Sequence, residues 1–225
     1  TWFIQRVLLT LLLPEWSDGT GLLKAWDVGA FHAVAVDQAQ RIETDGWQAW
    51  TLKPNGWGVS GILSAWYAVT VPSPWAFAPV QSLMYAIGLM AVFALVRSVC
   101  GRPNDALIAV LPFLLAPSAA TLYAQPHRDG FVFCALMLCL VGWWQLLRIQ
   151  SERRWPRILW LGVMGCLLLL AGFLLGWSVR RFAAELFQVV ALVMLALAVV
   201  SAIASRIGST RPPLAGALVF SVVLV

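Results

Sequence analysis

Charge is scarce along this 225-residue chain: 11% of its residues are Asp, Glu, Lys or Arg, and 61% are hydrophobic. A soluble domain carries roughly a quarter charged residues, so this composition, with a mean hydropathy of +0.83, excludes a water-soluble fold. None of the four cysteines stands in a CxxC pair. Cys100, Cys134, Cys139 and Cys166 are therefore read as small core residues. The chain has no Gly-rich phosphate loop, no HExxH and no GxSxG, which leaves nucleotide hydrolysis, zinc proteolysis and α/β-hydrolase chemistry without a motif. Apart from Glu185, the second to sixth of its apolar runs hold no deep charge, and an ion or proton pathway needs such charges.

What the chain does have is long apolar runs. A crossing takes roughly 20 apolar residues for about 30 Å of hydrocarbon, and runs at about 1–13, 76–96, 105–123, 131–148, 158–177, 182–205 and 213–225 predict about seven spans. The first and last are too short to cross alone. The chain is thus expected to be a piece of a longer one, a single all-α transmembrane bundle over 1–225. Thirteen tryptophans suit the two bilayer interfaces, where an indole is half apolar and half wet.

Arginine placement predicts the sides. Arg97 and Arg102, then Arg148, Arg153, Arg154 and Arg157, then Arg206 and Arg211 fall in alternate loops, as cytoplasmic loops do. The surplus of basic residues therefore reports topology, and no nucleic-acid partner is expected. The long first loop, about 14–75, whose charged residues are mostly acidic, falls opposite, with the turn at 125–130 and a tight turn at 178–181. Every reactive-looking group is thus predicted on the non-cytoplasmic side, the N-terminus being cytoplasmic.

Within that loop, residues 28–44 read as an amphipathic helix, with Asp27 at its N-cap and Asp45-Gly46 as its stop. Phe31, Ala35, Ala39 and Ile42 recur at helical spacing. A second apolar segment, 59–71, is too short to cross and is expected to pack at the interface.

A first apolar helix followed by Asp27-Val28-Gly29-Ala30-Phe31-His32, juxtamembrane helices before the next span, and the later turn Gln125-Pro126-His127-Arg128-Asp129-Gly130 resembles the GT-C class of integral membrane glycosyltransferases over roughly residues 1–150. The resemblance implies the N-terminal membrane part of an inverting transferase, moving a sugar from a polyprenyl phosphate to an acceptor at the periplasmic face of a bacterial inner membrane. It also implies that Asp27 is the general base. Val28 departs from members that have a second acidic residue there, and the membrane part here has fewer spans than many of them.

The residues themselves admit plainer roles. Asp27 also reads as a helix cap. Arg128, Arg180 and Arg181 suit the donor phosphate, since a guanidinium forks onto phosphate oxygens, but the last two also suit lipid headgroups. Asp129 fits a helix cap or a partner for Arg128, and His32 and His127 fit supporting roles. No cofactor is expected. A divalent ion shared by Asp27 and a histidine is the weaker reading of two histidines so far apart. The expected partners are membrane lipid and a polyprenyl-phosphate-linked sugar, the acceptor being open. The alternatives are a non-catalytic membrane subunit or scaffold, and a lipid carrier or flippase.

Overall fold

The computed structural model describes residues 3–24, 27–116, 124–149 and 152–180, and residues 182, 185, 188–190 and 192–193. Among these the architecture is all-α, with a single isolated antiparallel bridge between Ser17 and Leu23. A π-type helix, Ile4–Leu12, precedes a turn-rich stretch. Six α-helices with both ends among the described residues follow: α1 (Val28–Asp45), α2 (Gly58–Val69), α3 (Ala78–Cys100), α4 (Pro103–Leu115), α5 (Arg128–Arg148) and α6 (Trp155–Val179).

Helix boundaries follow local chemistry. Gly46 stops α1 at φ +84°, and Gly101 ends α3 at φ +73° with its N–H on the Arg97 carbonyl, conformations that a side chain disfavours. Pro74, Pro103 and Pro156 stand in first turns, where proline's missing N–H leaves no partner short. Ala116, which precedes Pro117, is extended at φ −67°, ψ 118°, as a residue before proline prefers.

Three helices among the described residues are long and apolar enough to cross a bilayer: Pro74–Cys100, Arg128–Arg148 and Trp155–Val179. The runs at 1–13 and 105–123, the latter described only as far as residue 116, are not among them. The first is the nine-residue helix Ile4–Leu12. The second holds the 13-residue α4, about 20 Å at 1.5 Å per residue, which ends before Pro117. The runs 182–205 and 213–225 lie outside the described residues, apart from isolated positions in the first.

α5 and α6 run antiparallel and close together. A Cβ at Gly142 would stand 2.8 Å from the Gly165 carbonyl, and one at Gly172 would stand 2.6 Å from that of Ala135, so small residues bring the two backbones together as in membrane bundles. Leu159, Val163, Leu167, Leu170 and Leu174 along α6 are exposed. Water would penalise such a flank, whereas lipid solvates it. Of the cysteines, Cys134 and Cys139 are buried as expected, but Cys100 and Cys166 are exposed.

The main core is at one end of the bundle. Phe31, Ala35 and Ala39 of α1 and Val59, Leu63 and Tyr67 of α2 pack with Phe77, Phe131 of α5 and Val179 at the end of α6. The first-loop helices therefore form a roof over the ends of the spans. Polar contacts fix the roof. The Gln38 amide donates to the Thr51 carbonyl and hydroxyl, each at 3.0 Å, and accepts from the Ser64 hydroxyl at 2.8 Å. Ser60 donates to the Phe31 carbonyl at 3.1 Å. At the rim, Lys53 Nζ donates to the Trp177 carbonyl at 2.6 Å and lies 4.1 Å above that indole.

Candidate functional site

Because α5 starts and α6 ends beneath the roof, the charged residues at those termini meet the start of α1. Asp27 Oδ2 is 3.9 Å from Arg128 Nη2. Arg180, just past α6, is close enough to Arg128 and Asp129 for both to perturb it electrostatically. Asp27, His127, Arg128, Asp129 and Arg180 thus form one cluster drawn from three helices. Arg181 lies outside the described residues. His32 is elsewhere in the roof, its Nδ1 2.9 Å from the Tyr67 hydroxyl between α1 and α2.

Asp27 occupies the N-cap position of α1, but its carboxylate makes no capping hydrogen bond. Its side chain is 69% exposed and turned toward Arg128. The helix that does receive a side-chain cap is α5, and the cap is His127: its Nδ1 accepts from the Asp129 N–H at 3.3 Å. Asp129 is therefore not the cap of α5. Its Oδ2 is 3.3 Å from His127 Nδ1. Ser178 and Val179, read from the sequence as part of a turn, are the last residues of α6.

Sequence reading overlooked what holds this cluster in place. Gln125 is fully buried, accepting from the Leu23 N–H at 3.2 Å and donating to the Gly21 carbonyl at 3.1 Å. It pins the 17–23 turn, just upstream of Asp27, to the start of α5. Gln81 of α3, also buried, donates to the His127 carbonyl at 3.3 Å. A carboxamide inside an apolar segment was the available signal, since buried amides need partners.

The two arginines of the cluster carry unmet donors. Arg180 is held below its ordinary value, first by desolvation and then by the like charge of Arg128, with Asp129 pulling the other way. The Nε atoms of Arg128 and Arg180 are both buried and lack a hydrogen-bond partner. Two guanidiniums near enough to repel each other, each with a buried unpaired Nε–H, gain a partner from an oxyanion. The Arg128 guanidinium carbon also lies 5.7 Å from the centre of the Phe31 ring, and that of Arg180 lies 4.3 Å from the centre of Phe182. Aromatic faces thus hold both forks in place.

No family model matches the chain, and no curated protein or solved structure matches it. The site must be read from its own chemistry. Among the described residues no three His, Cys, Asp or Glu side chains converge as metal ligands.

Farther along the same helices, an apolar cavity of about 160 Å³ opens between Leu136, Cys139 and Trp143 of α5 and Leu169 and Phe173 of α6. Leu136 follows Arg128 by eight helical positions, about 12 Å of rise. A charged end and an apolar groove therefore share one helix pair.

Proposed function

We propose that this chain is the membrane part of a GT-C-type glycosyltransferase, taking its sugar from a polyprenyl phosphate at the periplasmic face of a bacterial inner membrane. The observation that carries the reading is the 3.9 Å approach of Asp27 to Arg128 beside Arg180, with both arginine Nε donors buried and unpaired. A glycosyl transfer of this kind needs a carboxylate and a phosphate cradle on either side of one reacting carbon. The cluster supplies both.

In this reading the donor phosphate lies between Arg128 and Arg180, with Arg181 in reserve, and the prenyl chain runs down α5 and α6 toward the apolar cavity. Asp27, exposed at the mouth, takes the proton from the acceptor hydroxyl. That oxygen bonds to the anomeric carbon as the bond from carbon to phosphate oxygen breaks, and the electron pair leaves on the phosphate with inversion at carbon. The arginines stabilise the charge growing on the leaving oxygen. Phosphate entry competes with Asp27 for Arg128, so donor binding releases the carboxylate toward the acceptor. The remaining apolar runs complete a seven-span bundle, with the roof periplasmic.

The test is Asp27→Asn in the full protein, assayed for transfer from labelled prenyl-phosphate hexose in membranes and for binding of farnesyl phosphate. Transfer is expected to fall by at least a hundredfold, in line with the roughly 10²–10⁴-fold contribution of a general base, while farnesyl phosphate still binds. A silent substitution points instead to a non-catalytic subunit.

A further inference from the structure

His127 Nδ1 stands 3.3 Å from a donor, the Asp129 N–H, and 3.3 Å from an acceptor, Asp129 Oδ2. One nitrogen satisfies only one of them. Unprotonated, Nδ1 accepts the N–H and caps α5; protonated, it donates to the carboxylate and gives up the cap. When Nδ1 accepts, the ring hydrogen is on Nε2, so a second proton, added at Nδ1, moves the imidazole from the cap to the carboxylate.

The charges around it are nearly balanced. His127 is 6% exposed, its ring centre 5.9 Å from that of Phe31, and Gln81 of α3 contributes an uncharged amide on its carbonyl. The ionised neighbours are Arg128 and Asp129 on α5, Asp27 at the start of α1 and Arg180 at the end of α6. Two positive and two negative charges cancel when the imidazole is neutral. Burial is the largest influence and holds His127 below its ordinary value; Asp129 and Asp27 push it up, and the two arginines push it down.

A phosphate between Arg128 and Arg180, a singly charged diester in the donor and a dianion once the sugar has left, upsets that balance. It neutralises the groups that repel a proton from the imidazole and adds negative charge of its own. We infer that His127 takes up a proton when an anion enters the Arg128–Arg180 cleft, swinging its hydrogen bond from the Asp129 backbone to the Asp129 carboxylate. This rests on the proposed donor site and adds a property to it. By linkage the anion binds more tightly as pH falls. With Asp129 bound to the imidazolium, it no longer competes for Arg180. His127 is thus a positioning residue, acting on the donor phosphate through Asp129 and the arginines.

The experiment uses detergent-solubilised full-length protein and inorganic sulfate, which stays dianionic over the range where histidine titrates. Calorimetric affinities from about pH 8 down to about pH 5.5 bracket that range. The imidazole ¹⁵N shifts of His127 are assigned as the signals lost in H127N and are read on an H32Q background, which removes the other histidine of this stretch. Expected are a higher His127 titration midpoint with sulfate present and an affinity that rises by up to about tenfold per pH unit once His127 begins to titrate. His127→Asn, which keeps a side-chain oxygen for the cap but cannot titrate, should bind sulfate with no such slope while keeping its circular dichroism. An unchanged slope in H127N, or a midpoint that sulfate does not move, overturns the coupling and leaves the anion site standing. A folded protein that binds no sulfate at any pH overturns both.

Discussion

Asp27 and Arg128 meet at 3.9 Å although α1, α2, α3 and α4 separate them in sequence. The contact requires the first-loop roof to sit on the end of α5, so it ties local chemistry to the fold. The same roof places Lys53 on the end of α6.

If Arg128 and Arg180 hold a phosphate, each contributes a charge-assisted hydrogen bond worth about 1.5–3 kcal/mol. Arg128→Ala or Arg180→Ala should therefore weaken farnesyl phosphate binding by roughly 10- to 100-fold. Fluorescence or calorimetric titration checks this. Arg97→Ala, in the last turn of α3 at the other end of that helix, serves as the control and should leave affinity unchanged.

The seat of the roof is testable through Gly58. A Cβ there would overlap the Ser178 carbonyl, whereas one at Gly29 meets nothing within 4 Å. Gly58→Ala should cost roughly 1–3 kcal/mol, as overpacking does, and should make the 46–58 segment susceptible to limited proteolysis. Gly29→Ala should be neutral. Equal behaviour of the two variants would refute the docking of α2 on α6.

His32 gives a pH signature for the roof itself. Burial holds it below its ordinary 6.5, Asp18 pulling weakly the other way. In the unfolded chain it takes a proton first. The stability of the α1–α2 pair should therefore be complete above about pH 6.5 and should fall as pH drops below that value toward the folded midpoint. Hydrogen exchange along α2 should accelerate in that window. H32Q should flatten the dependence, and Tyr67→Phe, which removes the 2.9 Å partner, should cost about 0.5–1.5 kcal/mol.

Helices were the most legible part of the sequence, because their signals are local. The expected helix at 28–44 is Val28–Asp45, stopped at Gly46, and the apolar segment between Asn55-Gly56 and Pro72 is Gly58–Val69. Of the run at 105–123 the structure describes α4 as far as Leu115, where the preference of Ala116 for an extended backbone before Pro117 ends the helix, and 117–123 lie outside the described residues. The cluster of Asp27 with the 125–130 turn and Arg180 followed from an alternation argument about sides, which carries no distances. Capping was the least legible part. Asp27 stands at the favoured position without capping, while His127 caps α5, because the Asp27 backbone is already helical at φ −58°, ψ −4°, whereas a capping residue is typically extended, as His127 is at φ −115°, ψ 148°. Gln125 and Gln81 could not be placed, since their partners are distant in sequence.

The most direct measurement is transfer by the Asp27→Asn protein alongside its farnesyl phosphate affinity. We expect transfer reduced at least a hundredfold with affinity held or slightly raised, because Arg128 is freed of its carboxylate partner. Wild-type transfer by that variant would contradict Asp27 as the base.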